Sequence, residues 1–117
     1  MVSSISSNVS ALQAFSKKMA VSANNVANAY SDNFKKSRAI NSEGQNGQVA
    51  STITRVETPG PLVEDPTSTT GELKELSNTD IAEEMVNQIA AEHGFNANAK
   101  TVKTYEETVG TLLDMIG

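Results

Sequence analysis

Few residues of this chain have the types and spacing that catalysis requires. His93 is the only histidine; acid–base chemistry would need an orienting acid and a reacting group beside it, and a metal site would need further ligands. Its neighbour Glu92 points to another side of a helix, because consecutive helical residues diverge by about 100°. The same divergence separates Glu83 from Glu84. We therefore predict that no residue is catalytic and that the chain is not an enzyme.

Signals for a bound cofactor, metal or nucleic acid are equally weak. Gly44 and Gly47 lack the following Lys and Ser or Thr, or the helix start, of a phosphate-binding loop. The chain contains no cysteine, which excludes a disulfide framework and a thiolate metal site. Its basic residues are few, and no aromatic platform for bases accompanies them. We expect no cofactor, no metal ion and no nucleic-acid partner.

The most informative polar residues are three asparagines near the end of the first predicted helix. Asn24, Asn25 and Asn28 lie within five residues, although asparagine is a poor helix former. Two interpretations fit this cluster. The asparagines could cap a frayed helix end, or their amides could bond to neighbouring helices in a tight array, where small alanines allow close approach.

Composition and charge favour long helices over a large globular core. Hydrophobic residues make up 38% and aromatic residues 4% of the chain, and aromatic side chains supply much of the buried area of compact cores. Residues 1–39 contain five basic residues and one acid, whereas residues 72–117 contain three lysines and nine acids. This asymmetry is either ordinary solvated surface or an electrostatic matching of the two ends, which would set orientation and partner choice. No apolar run approaches the ~20 residues of a membrane span.

Heptad spacing predicts a long helix at each end, over residues 3–29 and 78–115. Apolar residues recur every seven positions from Ile5 to Val26, and again, with one polar break, from Ile81 to Ile116. Such narrow seams are typical of coiled coils. Ser77, with an acid three residues later, resembles a capping box that would start the second helix. The expected fold class is mainly α, with two long terminal helices forming an antiparallel coiled-coil hairpin and a small β/loop elaboration between them.

The segment between the helices is short and polar. Residues 30–48 are rich in turn formers, and residues 49–56, rich in Thr, Val and Ile, predict one strand. Two prolines and a glycine at residues 59–61 end it, and residues 62–73 predict an extended arm or loop with at most one short strand. The chain divides into three segments: 1–39, an N-terminal helix with its turn; 40–76, a short β/loop middle region; and 77–117, a C-terminal helix.

Two stretches resemble the axial proteins of the bacterial flagellum, the rod and hook family. Residues 23–35 (ANNVANAYSDNFK) are similar to the N-terminal signature of that family, and residues 76–89 (LSNTDIAEEMVNQI) to its C-terminal signature. The second resemblance continues through residues 95–104 to Leu112 and Leu113. Asn33 stands where the family usually has Gly, but Asn is the next best residue for a positive φ. Residues 92–94 replace a stretch that usually contains Arg.

The resemblance implies a subunit of the basal-body rod, stacking helically through its terminal axial helices into a hollow drive shaft used in motility. The order of the central segments is most similar to the short proximal rod protein. The implied partners are other copies of the chain, other rod and hook proteins and the flagellar export apparatus, without direct membrane insertion. The implied location is the rod crossing the periplasm, reached without a cleaved signal peptide. The alternative is a cytoplasmic α-helical adaptor or secretion chaperone.

The expected assembly interface combines residues of the two seams with residues of the two signatures. Its members are Ile5, Leu12, Met19, Asn24, Asn25, Val26, Asn28, Phe34, Ile81, Met85, Val86, Ile89, Phe95, Asn98, Val102, Val109 and Leu113.

Overall fold

Two long helices at the ends and four short strands between them build the protein. The computed structural model describes residues 2–117, with side chains from residue 5 onward. The elements in chain order are α1 Val2–Ala27, β1 Ser37–Glu43, β2 Val49–Arg55, β3 Leu62–Glu64, β4 Leu73–Glu75 and α2 Ile81–Ile116. The molecule is elongated, with extents of 81 × 23 × 15 Å, because α2 alone covers roughly 54 Å at 1.5 Å per residue.

The strands form two separate antiparallel hairpins. β1 pairs with β2 from Ser37 opposite Arg55 to Glu43 opposite Val49, and β3 pairs with β4. The strand predicted over residues 49–56 is confirmed as β2. Its partner β1 lies in a stretch that we predicted to be turns, because its sequence SRAINSE is mostly polar and contains one large apolar residue, Ile40. The second sheet lies where we predicted an extended arm or loop with at most one short strand, and the structure has two paired strands there.

Side chains of α1 fasten the first hairpin by bonding to its backbone. The Asn25 amide donates to the Ser37 carbonyl oxygen at 2.8 Å and accepts from the Ser37 N–H at 2.9 Å. The Ser10 hydroxyl accepts from the Val49 N–H at 2.9 Å. Edge strands leave backbone groups unpaired, and here α1 satisfies several of them. This explains why a polar stretch such as β1 is held as a strand.

The expected antiparallel coiled-coil hairpin is wrong. Within the described residues, the buried apolar side chains are three alanines, Ala11, Ala14 and Ala91, rather than two interlocking rows of large residues. Val9 and Ile81, both assigned to the seams, are 42% and 38% exposed. A coiled coil requires large apolar residues to insert into the facing helix. Here α1 packs against a sheet as well as against α2, and small and polar residues fill the contacts.

The covered side of α2 overlaps the predicted one only in part, since Val102 and Val109 of the predicted seam are half-buried. Its covered positions include Glu84, Ala91, Asn98 and Tyr105, seven residues apart; the predicted companion row, which included Met85 and Leu113, begins one residue later. The helix itself begins at Ile81, with Asp80 as N-cap, whose carboxylate accepts from the backbone N–H groups of residues 82 and 83. The predicted cap, Ser77, instead accepts from Thr79.

Candidate assembly surface

The most enclosed polar side chain of the described residues joins three elements. Asn25 on α1 is 1% exposed, and its amide nitrogen donates to Glu84 Oε1 on α2 at 3.0 Å as well as to β1. The Ser22 hydroxyl donates to the Glu84 carbonyl oxygen at 3.1 Å. We call Ser22, Asn25, Ser37 and Glu84 the polar junction. Because a buried amide or carboxylate is costly without partners, these bonds fix the positions of α1, β1 and α2 relative to each other.

The turn after α1 is fixed to the segment that leads into α2. Asn33 has a φ of 60°, which confirms that Asn supplies the positive φ usually given by Gly, and its N–H donates to the Glu75 carbonyl oxygen at 2.9 Å. The backbone N–H of Asn78 donates to the Phe34 carbonyl oxygen at 3.2 Å. The Asn78 side chain accepts from the Lys36 N–H at 2.6 Å. The two signature stretches therefore bond to each other directly.

Ion pairs connect the basic N-terminal segment to the acidic C-terminal segment. Lys36 lies 2.8 Å from Glu83, Lys74 lies 3.2 Å from Asp32, and Lys35 pairs with Glu75. The hydrogen bond from Lys35, followed by one from the Gly60 N–H, lowers the pKa of the Glu75 carboxyl below its usual value. These pairs favour electrostatic matching of the ends over the alternative of unpaired solvated charge.

Most of the α2 residues expected at the assembly interface lie exposed. Ile81, Met85 and Ile89 share one side of the helix at four-residue spacing, and Met85 and Ile89 are more than half exposed. The other exposed members of the expected interface on α2 are Val86, Phe95 and Leu113. Exposed apolar surface of this kind is typical of protein–protein contact sites.

The remaining expected interface residues are partly covered within the chain. Ile5, Leu12, Met19, Val26, Phe34, Val102 and Val109 are half-buried.

The asparagines outside the polar junction form local bonds. The Asn28 amide nitrogen donates to the Asn24 carbonyl oxygen at 3.0 Å, and its oxygen accepts from Ser31 at 3.0 Å. Asn98 donates to the Gly94 carbonyl oxygen at 2.8 Å. Of the three clustered asparagines, Asn25 alone is buried and bonds to other elements of the same chain.

Sequence reasoning missed the other members of the polar junction, namely Ser22, Ser37 and Glu84. The signal for Glu84 was the seven-residue spacing of Glu84, Ala91 and Asn98. It was overlooked because we counted only large apolar residues. No comparable spacing signal marks Ser37, which lies outside both helices.

The described residues contain no group of three or more His, Cys, Asp or Glu that could hold a metal ion. His93 is exposed. Among the helices described, none is both long and apolar enough to cross a membrane.

Two family models match the ends of the chain. Residues 5–35 match the flagella basal body rod protein, and residues 70–115 match the C-terminal region of the flagellar basal body rod FlgEFG protein. Both ends of the chain are therefore similar to the flagellar rod and hook family. The polar junction and the bond between Asn78 and Phe34 thus join the two rod and hook segments, although 34 residues of sequence separate them.

The similar proteins are flagellar hook proteins. The flagellar hook protein FlgE of Escherichia coli (strain K12) is 41% identical over 49 residues, covering 42% of this chain and 12% of that protein. The FlgE proteins of Salmonella typhimurium and Salmonella typhi are each 39% identical over 41 residues, covering 35% of this chain and 10% of those proteins. The matched stretch is therefore about a tenth of the length of these rod and hook relatives.

Proposed function

We propose that the chain is a non-enzymatic structural subunit of the bacterial flagellar basal-body rod, which stacks helically through its terminal helices to form a hollow drive shaft used in motility. The observation that carries this proposal is the meeting of the two rod and hook segments in one polar junction. That junction makes the two ends one rigid unit, and it leaves large apolar residues of α2 outside.

The small core of the subunit supports assembly as its working state. The buried apolar residues of the described part are alanines, whereas Met85, Val86 and Ile89 are each more than half exposed. Full burial of one such side chain stabilises a contact by about 1.5–3 kcal/mol. Packing α2 against neighbouring subunits would therefore bury apolar surface that the subunit alone leaves exposed. The exposed members of the expected interface are the residues we propose to lie in these contacts.

Within the family, the short middle region supports a proximal rod protein. Two small hairpins occupy the interval from Ser37 to Glu75, whereas family members with large domains carry them between the terminal helices. We propose other copies of the chain and other rod and hook proteins as its partners, with the flagellar export apparatus as its route. The proposed location is the rod crossing the periplasm, reached without a cleaved signal peptide.

Electron microscopy of basal bodies tests this function. Cells lacking the gene should be non-motile and should lack complete rods, and the wild-type gene should restore both. The double variant Met85→Glu, Ile89→Glu should fail to restore them, because it places charge on the exposed apolar side of α2. A matched change at an equally exposed apolar residue of the middle region, Leu62→Glu, is the control. Intact basal bodies in the deletion strain, together with small cytoplasmic oligomers of the protein in wild-type cells, would instead support an adaptor.

A further inference from the structure

A groove of about 340 Å³ opens between α1, β1 and α2. Its apolar lining includes Phe15, Val21, Ile40 and Ala90, which gives it the mixture of aromatic, aliphatic and small residues typical of binding sites. Its volume lies at the lower end of the ~300–1,000 Å³ found for ligand pockets. We call it the α1–β1–α2 groove.

The charges of the groove leave cations available. The carboxylates there already have partners, because Glu84 accepts from Asn25 and Glu83 lies 2.8 Å from Lys36. Lys18 also lines the groove and forms no ion pair among the residues that the structure describes. Arg38 is 3.9 Å from Glu83, with its side chain 56% exposed. Lys18 and Arg38 are therefore the two groove cations that could pair with an acidic partner.

The far end of α2 has the complementary features. Every residue from 110 to 116 is exposed, and this segment, which we call the overhang, carries Leu112, Leu113, Met115 and Ile116 at 49–84% exposure. After Lys103 the helix contains three acidic residues and no basic one.

The overhang continues the covered side of α2. Leu112 lies seven residues beyond the half-buried Tyr105, and Ile116 lies seven beyond the half-buried Val109. Positions seven apart lie on nearly the same side of a helix. The side that packs within the subunit therefore runs on for two more turns, where nothing of the described chain covers it. A surface that complements this side of the overhang is apolar and carries positive charge.

We propose that the overhang of one copy inserts into the α1–β1–α2 groove of a second copy, with Leu113 close to Ala90. This inference rests on the proposed function, since it names which surfaces of the stacked subunits meet. The contact joins two different surfaces, so it is head-to-tail and generates an open helical filament unless the rotation closes it. A pair of copies joined in this way would keep one free groove on one copy and one free overhang on the other.

Disulfide cross-linking tests the contact directly, because the chain contains no cysteine of its own. Purified Ala90→Cys and Leu113→Cys proteins are mixed under oxidising conditions over a series of concentrations. Within one chain the two positions are 23 residues apart on α2, roughly 34 Å, so a bond between them can form only between copies. The control replaces Leu113→Cys with Leu62→Cys, since both leucines are 62% exposed.

We expect the Leu113 mixture to give about tenfold more heterodimer than the Leu62 mixture, a preference of roughly 1.4 kcal/mol. The double variant Ala90→Cys, Leu113→Cys should give a ladder of covalent oligomers. Equal heterodimer yields in the two mixtures would overturn the proposal, as would a single closed dimer band. So would preferential Leu113–Leu113 cross-links, which would indicate a symmetric contact between two overhangs.

A charge reversal tests the electrostatic part of the fit. Lys18→Glu, inside the groove, should lower the heterodimer yield up to about fivefold, or roughly 1 kcal/mol. Lys17→Glu makes the same change in net charge on the adjacent residue, which points to another side of α1, and should leave the yield within about twofold. Equal losses in both variants would show that net charge, not the groove, attracts the overhang and would overturn the assignment of this surface.

Failure of this contact is distinguishable from failure of the proposed function. Control-level cross-linking together with missing rods in the deletion strain would overturn the groove contact and leave the rod function standing. A specific cross-link together with intact basal bodies in that strain would overturn the rod function and leave the contact standing.

Discussion

The two halves of α2 have similar apolar content but different surroundings. In the N-terminal half, Glu84 and Ala91 are 3% and 2% exposed, and Glu84 is bonded to α1 through the polar junction. From Gly110 onward every residue is exposed. The difference lies in what is opposite each half, not in the residues themselves. An apolar seam in a sequence thus shows where contacts are possible, but not which of them the subunit makes alone.

Two glycines of α2 show the same contrast at atomic scale. A Cβ placed on Gly94 would lie 2.5 Å from the ring of Phe15, whereas a Cβ on Gly110 would meet nothing within 4 Å. Gly94 therefore permits the close approach of α1 rather than a bend, since α2 runs unbroken through it. Gly110 has no such role within the subunit.

The largest effect should come from removing the Asn25 amide, which bonds α1 to the N-terminal half of α2. Asn25→Ala should lower the free energy of unfolding by about 3 kcal/mol, because it leaves the Glu84 carboxylate and both backbone groups of Ser37 without this partner in a buried site. Chemical denaturation followed by circular dichroism measures this. Asn28→Ala is the matched control: its amide bonds locally, and the change should stay within about 0.5 kcal/mol of wild type. Equal effects of the two variants would contradict the role of the polar junction.

Alanine substitutions at the two glycines should have opposite effects. Gly94→Ala gains up to about 1 kcal/mol of helix propensity but forces a methyl group into the Phe15 ring, and overpacking of this kind costs about 1–3 kcal/mol. The net result should be a loss of about 1 kcal/mol. Gly110→Ala should gain up to about 1 kcal/mol. Thermal unfolding of both variants checks the signs, and stabilisation by Gly94→Ala would mean that α1 does not approach α2 closely there.

Acidification should loosen the link that leads into the packed half of α2. Because hydrogen bonds lower the pKa of Glu75 in the folded state, its stabilising effect is present above the ordinary glutamate range and is lost as pH falls through the lowered pKa. The amide resonance of Gly60, which donates to Glu75, should therefore titrate with a midpoint below the ordinary glutamate range. Glu75→Gln should abolish that titration. A midpoint at or above the ordinary glutamate pKa would contradict the bonding described for this carboxylate.

The smallest effect on the isolated subunit should come from the overhang itself. Leu113→Gln removes an apolar side chain that is 62% exposed, so the free energy of unfolding should change by less than about 0.5 kcal/mol. Sedimentation of the same variant should show weaker self-association than wild type. A loss of stability comparable to that of Asn25→Ala would show that the overhang is packed within the subunit.

Regular patterns allowed much of this architecture to be predicted, and tertiary contacts account for the rest. Both helices and strand β2 followed from periodicity and β-branched residues, and the positive φ of Asn33 followed from the family resemblance, in which Asn33 stands at a Gly position. Strand β1 could not be predicted, because its polar sequence depends on a hydrogen-bonding partner, Asn25, that lies 12 residues away. The family resemblance correctly singled out the asparagine cluster, but only the structure shows that Asn25 turns inward.

The bond between Asn25 and Glu84 also determines when folding can be completed. It spans 59 residues of sequence, so a chain still emerging from a ribosome, or drawn lengthwise through a narrow passage, has its first helix but not yet the residue that secures it. Closing a loop of this length costs on the order of 4 kcal/mol in chain entropy, and contacts between such distant residues form late. Before Glu84 is available, Asn25 lacks this hydrogen-bond partner, and α1 is not yet fixed to α2.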